Sequence, residues 1–386
     1  MIKGKLSYLN RIYSKYNFRY SLDSDKLSGS SPPSVFIGRK GYPRVYIGPL
    51  VPAMHGDTSI MDTPEQWHDK QATDIIDFRL QLIRGKQSVR INEVDKAEKI
   101  REIALSKNPI NIDIEFKKKP RGIFFHEDMQ PFGPSAVFSK METNISKYDH
   151  RMEKAHYDSD LLAHNAIIQL YNQGIFVSSI QKAFSTGAFG INKNRKLVPT
   201  RWSITAVDDT LGKHVLDEIR YYPLINEFRV YEHEAINNKF IVILMPFFWR
   251  YETMEAFFPQ IIGDKLEIYS DWEDFSGKKE YAAIGGCYYS ARLAIAEMLE
   301  KEKRQAAAIV LREAYPAYIP LGVWNVREGM RQAMSKESMK FETMSEALAH
   351  AATRLRIPMQ RWIAESHLLK NMLTQRRLSD FTKLIN

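Results

Sequence analysis

The chain has a single cysteine, Cys287, in 386 residues. That excludes an internal disulfide, and it excludes any zinc finger or iron–sulfur cluster built from the chain's own cysteines. It also fits a reducing compartment. Long apolar runs are missing too. The longest, Ile241–Trp249, is bounded by Lys239 and Arg250, far short of the ~20 residues a bilayer-spanning helix needs. No apolar stretch of the secretory type stands near the start. The first residues are basic and acid-poor, like an organelle transit peptide, but Tyr and Phe interleave there without a clean amphipathic period. A cytoplasmic protein with no membrane partner is the expectation. Several catalytic signatures are absent as well: there is no His-Glu-x-x-His, no Gly-x-Ser-x-Gly elbow and no Gly-Lys-Ser/Thr phosphate loop. Glu153-x-x-His156 occurs without the second such motif that a di-iron bundle requires, since Glu346 and His350 are four apart.

What is present is ordinary in bulk and uneven in distribution. Apolar residues make up 44% and charged residues 26%, the balance of a globular chain long enough for two or three domains. The net charge is +9. Residues 1–47 carry nine cations, among them Arg39, Lys40 and Arg44, against Asp23 and Asp25. That segment therefore supplies most of the excess, and a concentrated basic stretch is the footprint of a polyanion partner. Tyr8, Tyr13, Tyr16, Phe18 and Tyr20 sit among those charges. Rings that stack on bases beside phosphate-binding cations suit single-stranded nucleic acid. The competing reading is a solvated arm whose rings dock on the chain's own core. A second cluster, Lys117-Lys118-Lys119-Pro120-Arg121, follows the alternating segment Asn111–Phe116. It is either a nucleic-acid contact or a solvated turn leaving a half-buried strand.

Turn and periodicity signals organise the rest. Residues 1–30 read as a basic arm that ends in a flexible Ser28-Gly29-Ser30-Ser31 stretch. Two β-branched and aromatic runs flank Gly38–Pro43, which predicts a hairpin displaying Arg39, Lys40 and Arg44. Helices are predicted over 64–84, 93–106 and 158–174, with 122–140 irregular. Strands are predicted over 201–207, 226–234 and 239–247, the last two joined by a tight turn. The chain then turns helical at 291–304, 323–334, 344–355 and 358–373, with a strand at 306–314. The predicted fold class is α+β: a mixed sheet with helices in the N-terminal two-thirds and a mainly helical C-terminal third. The predicted division is an arm at 1–30, an α+β domain at 31–275, a helical domain at 276–373 and a tail at 374–386.

Candidate chemistry is thinner. Asp208-Asp209, read as following a strand, stand where oxygen-ligated Mg²⁺ or Mn²⁺ sits in phosphoryl-transfer sites; the alternative is helix capping. His55-Gly56-Asp57 and His126-Glu127-Asp128 are compact polar groups that suit acid–base work or simple loop hydrogen bonding. Cys287, between glycine and tyrosines, reads as a small core residue. The tail is the most specific signal. Gln375, Leu378 and Phe381 recur every third residue. In a 3₁₀ turn they would form one apolar plug with an amide at its mouth; otherwise they extend the preceding helix.

That tail resembles the PCNA-interacting peptide of sliding-clamp partners, with Thr382 in place of the usual second aromatic and Leu384 nearby. The body of the chain resembles the archaeal Nre DNA-repair family over nearly its full length. The resemblance rests on Ser31-Pro32-Pro33-Ser34-Val35-Phe36-Ile37-Gly38-Arg39, on Gly41-Tyr42-Pro43 and Gly48-Pro49-Leu50, and on the string Val198-Pro199-Thr200-Arg201-Trp202-Ser203-Ile204-Thr205-Ala206-Val207-Asp208-Asp209-Thr210. It implies a two-part protein tied to DNA damage and to the clamp. Many members begin with a cysteine-based zinc finger. No cysteine precedes Cys287 here, so no zinc finger and no zinc role carries over.

The leading expectation is a DNA-repair protein that binds DNA and is held at repair or replication sites, in association with the nucleoid, by the PCNA sliding clamp. Gln375, Leu378, Phe381 and Leu384 would meet the clamp; Arg39, Lys40, Arg44, Arg201, Lys117, Lys118 and Lys119 would meet DNA. The alternative is a metal-dependent nuclease for damaged or branched DNA, with Asp208, Asp209, Asp57, His55 and Glu127 as ligands or acid–base groups and Mg or Mn as cofactor. A glycosylase or lyase, and an RNA-binding module without catalysis, remain open beside it.

Overall fold

The computed structural model describes residues 22–124, 129–144, 147–259, 261, 264–316, 318 and 320–374. In chain order these hold β1 (Lys26–Ser31), β2 (Val35–Ile37), β3 (Arg44–Val51), α1 (Ala72–Leu80), β4 (Ile83–Arg90), α2 (Glu98–Leu105), β5 (Ile110–Phe116) and β6 (Ser135–Asn144). There follow α3 (His150–Tyr157), α4 (Ala163–Asn172), α5 (Val177–Ser185) and α6 (Thr200–Ile219), then β7 (Phe228–Ala235), β8 (Asn238–Met245), β9 (Tyr251–Phe257) and β10 (Glu267–Glu273). The last elements are α7 (Gly286–Glu302), β11 (Ala307–Ala314), α8 (Trp324–Met334), β12 (Met339–Phe341), α9 (Met344–Arg354), α10 (Met359–Glu365) and α11 (His367–Thr374). The fold is α+β. Two compact units share the chain: 22–214 with 320–328, and 215–318 with 329–374. Among the described residues, no helix is long and apolar enough to cross a membrane.

The first unit is built on a six-stranded sheet of order β1-β5-β6-β4-β3-β2, in which β4 and β6 run parallel and the other pairs antiparallel. The hairpin forms as the sequence predicts, β2 pairing with β3 across the Gly38–Pro43 turn. β5 alternates exposed and buried residues along its length, also as predicted. One face of the sheet is apolar: Val35, Ile37, Val45, Ile47, Val89, Ile112, Ile114 and Phe116 join Ile100, Ile103 and Ala104 of α2 in one core.

Several expectations need correction here. Residues 28–31 are not a flexible stretch but most of β1. Gly29 is required there because a Cβ would meet the carbonyl oxygen of Pro52 at 1.8 Å. The serines take part in the packing: Ser30 Oγ donates to Asn111 Oδ1 at 2.6 Å and Ser31 Oγ to the carbonyl of Leu50 at 2.9 Å. The predicted helix 64–84 shrinks to α1, preceded by a 3₁₀ turn at Pro64–Gln66 and followed at once by β4. The 122–140 segment is not wholly irregular, since β6 begins at Ser135.

The largest correction is at 201–207, which is the first half of α6 and not a strand. Its β-branched residues suggest a strand, but Ser203, Val207 and Leu211 are buried at four-residue spacing. Burying that helical stripe outweighs intrinsic strand preference.

The second unit carries a six-stranded sheet of order β10-β9-β11-β8-β7-β12, with β9 and β11 parallel. β7 and β8 join through Ile236 and Asn237, both at positive φ of 53° and 52°, one residue earlier than the predicted Asn-Asn turn. β8, β9 and β11 are buried along nearly their whole length, because helices cover both faces. Ala347, Leu348, Trp362 and Leu369 pack on one side. On the other, Tyr251 of β9 meets Tyr288 of α7 with ring centroids 4.9 Å apart. Strand β11 lies after residue 275 and pairs with β8 and β9, which lie before it.

β9 is invisible to a hydropathy reading because it carries Glu252 and Glu255. Both are buried with partners: Glu252 accepts from Ser366 Oγ and from the amides of His367 and Leu368 at 2.8 and 2.9 Å, while Glu255 pairs with Arg312. The same contact explains why 358–373 is two helices and not one. Glu252 holds the N-terminus of α11, and Ser366 breaks the run.

Candidate nucleic-acid interface

The second face of the first sheet is polar where helices leave it open. Residue alternation puts Arg44, Tyr46 and Gly48 of β3 on that face, with Arg84, Lys86, Ser88 and Arg90 of β4 beside them in register. Arg44, Tyr46, Ser88 and Arg90 are exposed. Lys86 lies over the Tyr46 ring, 6.0 Å from its centroid. Arg84 pairs in register with Ser135, and Ser135 bridges to Arg121. A basic strip therefore runs along β4 from Arg121 to Arg44. Arg84 and Arg90 are six residues apart, which at ~3.3 Å per residue spans about 20 Å. The β5–β6 half of the same face is mixed: Asp113, Glu115 and Glu142 are exposed there, with Lys26 near Glu115 at 3.4 Å and Lys140 near Glu142 at 2.7 Å. The two halves thus differ in sign.

Arg84 is unusual. Its side chain is almost wholly buried, with the guanidinium 4.3 Å from the Phe36 centroid and 5.5 Å from that of Phe132. Nη2 donates to the carbonyl of Tyr46 at 2.6 Å, and Nε has no hydrogen-bond partner. Among the described residues no carboxylate pairs with it. Burial pulls its pKa down to about 9, and burial, with repulsion from Arg84, lowers Lys86 as well.

The hairpin brings the two sequence strings together. Tyr42 at its tip packs on Trp202 in the first turn of α6, with centroids 5.1 Å apart. Thr200 Oγ1 accepts from the amide of Ile37 at 2.9 Å. Arg39, Lys40 and Arg44 thus share one end of the sheet with Arg201. Lys117, Lys118 and Lys119 are exposed at the other end of β4, where Lys117 donates its amide to the carbonyl of Val137. The sequence names both ends of the strip, Arg121 included in the second cluster, but misses Lys86 and Arg90 between them. Strand pairing supplies that link.

The predicted acid–base residues are not brought together. Asp208 lies inside α6, fully buried, where Arg327 Nη1 donates to both its oxygens at 3.0 and 3.1 Å and Gln181 Nε2 to one at 2.9 Å. Asp209, the next residue on the helix, takes Lys213 at 2.7 Å on the surface. His55 shares hydrogen bonds with Ser28 and Asn111, both at 3.2 Å. Asp57 accepts from the side chain and the amide of Ser59, which together hold its carboxyl below the usual range. Glu127 falls outside the described residues, as do the basic arm through residue 21 and the tail with Gln375, Leu378, Phe381 and Leu384. Among the described residues, no three His, Cys, Asp or Glu side chains converge as a metal-binding group.

Between β2, α5 and α6 lies a cleft whose water-accessible volume is about 60 Å³. Its wall includes a charge cluster in which the carboxylate of Asp62 accepts from Arg79 at 2.6 Å and from Lys182 at 3.3 Å. Glu65 nearby accepts from the Ser178 amide and hydroxyl at 2.9 and 2.8 Å.

Comparison with known proteins follows the same outline. A family profile described as archaeal Nre, N-terminal, matches residues 4–262, and one described as archaeal Nre, C-terminal, matches 273–381. The chain is 42% identical over 367 residues to the DNA repair protein NreB of Archaeoglobus fulgidus, covering 94% of this chain and 93% of that one. It is 36% identical to the DNA repair protein NreA of the same organism, over 88% of each chain. It is 31% identical to NreA of Haloferax volcanii, over 86% of this chain and 83% of the relative. No solved structure matches. Two profiles that together span most of the residues, and relatives aligned nearly end to end, establish that the chain belongs to the archaeal Nre family.

Proposed function

We propose that this Nre protein acts in DNA repair by holding DNA along the β3–β4 strip, and that the sliding clamp brings it to its sites through Gln375, Leu378 and Phe381. The repair role rests on the names of its relatives. The DNA-binding role rests on one observation: exposed Arg44 and Arg90 and half-buried Lys86 share one sheet face, with Tyr46 beneath Lys86. Phosphates are drawn by the cations and a base can stack on the ring. Lys86 and Arg90 are four residues apart, about 13 Å along the strand, which matches roughly four phosphates at ~3.4 Å per nucleotide of one strand. Nothing observed favours the nuclease reading, because Asp208 is committed to Arg327 and the other candidate groups are scattered.

The test is fluorescence anisotropy of a labelled single strand and of a duplex, repeated across salt concentrations. Binding through the strip weakens steeply with salt, and replacing Lys86 and Arg90 together by Ala lowers the slope. A salt slope unchanged in the double variant would remove the strip from the proposal.

A further inference from the structure

A larger hollow opens on the first unit, between the start of α4, the end of α5 and the segment 187–198. Its volume is about 290 Å³, roughly twice the ~150 Å³ that takes a benzene ring. It has room for one ring and a substituent of similar size. Phe184, Phe189, Ile191 and Val198 give it an apolar wall. Leu162, Asn194 and Lys196, all exposed, stand at its rim.

The charge of this hollow has one sign. Among the described residues, no acidic one lines it. The Lys196 side chain has no hydrogen-bond or ion-pair partner among the described residues. Arg195 is held by main-chain carbonyls, donating to Gly190 at 2.7 Å, His156 at 2.6 Å and Asp158 at 3.2 Å. Carbonyls orient a guanidinium without cancelling its charge. The nearby Asp158 carboxylate is used elsewhere, accepting from the amides of Asp160 and Leu161 at 3.4 and 3.0 Å. Burial lowers the Arg195 pKa and repulsion from Arg101 lowers it further; the second cause shows that positive charge accumulates here. The backbone adds donors. The amides of Phe189, Gly190 and Ile191, three in a row along the wall, donate to no acceptor among the described residues. Phe189 and Gly190 are buried, and buried amides without acceptors are rare. Successive amides of this kind form a concavity that takes an anion.

The hollow also adjoins the β3–β4 strip. Leu197, between Lys196 and Val198, donates its amide to the carbonyl of Ile91 at 2.8 Å, and Ile91, which follows Arg90, donates its own to the carbonyl of Pro43 at 3.0 Å. A strand held on Arg44 and Arg90 therefore runs out towards the hollow. The occupant that meets these observations is an anion with a flat, largely apolar body. A phosphate monoester, which carries more charge than a bridging diester, suits the amides and Lys196. A nucleobase suits the phenylalanine wall and the volume.

We propose that this hollow binds a nucleoside monophosphate, free or as the phosphorylated end of a DNA strand, with the phosphate on Lys196 and the 189–191 amides and the base against Phe184 and Phe189. The strand-end form rests on the DNA-binding reading; the free-nucleotide form does not.

Isothermal calorimetry on the full chain compares deoxyadenosine monophosphate with deoxyadenosine and with inorganic phosphate. The monophosphate is expected to bind more tightly than either part. Lys196→Ala weakens it about tenfold, the value of one charge-assisted hydrogen bond, and Lys196→Glu abolishes it. Both variants keep the parent melting temperature, because the Lys196 side chain is exposed and pairs with nothing described. Lys193→Ala removes an exposed charge outside the wall and leaves the affinity unchanged. A monophosphate bound no more tightly than deoxyadenosine or phosphate, or binding untouched by Lys196→Glu, overturns the proposal. Anisotropy of a labelled oligonucleotide phosphorylated at its 5′ end, at its 3′ end or at neither separates the two sources. Tighter binding of a phosphorylated form, lost in Lys196→Glu, means a strand end. Equal binding of all forms beside the expected calorimetric result means that the hollow takes free nucleotides. Lys86→Ala with Arg90→Ala disables the strip and leaves the hollow intact, so calorimetric binding survives there and the two readings fail separately.

Discussion

A carboxylate with no water around it must find its countercharge inside the protein. Asp208 finds Arg327, and both side chains are essentially unexposed. Removing one partner strands the other, so Asp208→Ala is expected to cost on the order of 3–5 kcal/mol in denaturant unfolding. Asp208→Asn, which keeps the shape and one acceptor, is expected to cost less. Arg84 presents the opposite case, a buried cation between two rings with carbonyls but no carboxylate. Arg84→Met is therefore expected to leave folding stability unchanged or raised, while the affinity for DNA falls. Calorimetry and anisotropy on the same preparation check the two halves of that statement. His233 sets a pH dependence. Burial, with repulsion from Lys336, takes its pKa from 6.5 down to about 4, and its Nδ1 has no partner. Between those values the unfolded chain binds a proton that the folded chain refuses, so stability falls as pH drops from 6.5 towards 4. His233→Phe is expected to flatten that limb in urea titrations run at several pH values.

Elements were legible in the sequence where one signal dominated. The hairpin at 35–51, the alternation of β5 and the helix stop near Gly174, which adopts φ of 77°, are all local. What escaped is tertiary. Val207 and Leu211 outweigh a β-branched composition only because a core exists to receive them. Glu252 splits the last helix from a strand more than a hundred residues away. The candidate site follows the same rule: Arg39, Lys40, Arg44 and Lys117 were readable as charge runs, whereas Lys86 and Arg90 gain meaning only from pairing with β3. The strip makes a quantitative prediction at this scale. For single strands the logarithm of affinity falls with the logarithm of salt by about 0.7 per phosphate neutralised. Charge-removing substitutions at Lys86, Arg90 and Arg44 are each expected to lower the slope by roughly that amount. A substitution at Glu142, on the mixed half of the face, is not expected to lower it.

At the scale of the whole molecule, each unit has its own mixed sheet and its own apolar core. Both cores are complete enough to be traced within the described residues, and the tail pattern that resembles a clamp-binding peptide begins at Gln375, just after α11 ends at Thr374. Folding and recruitment should therefore separate. A short peptide tethered to a DNA-binding body raises the local concentration of that body at the clamp, so each contact alone can be weak. Thr382 in place of a second aromatic fits a weak hook. Leu378→Ala with Phe381→Ala is expected to abolish recovery of the clamp in a pull-down while leaving the melting temperature and the affinity for free DNA unchanged. On DNA loaded with clamp, the same variant is expected to lose the gain in occupancy that the parent chain shows, and to bind as it does on bare DNA. Equal recovery of clamp by parent and variant would mean that the tail is not the tether, whatever the β3–β4 strip does.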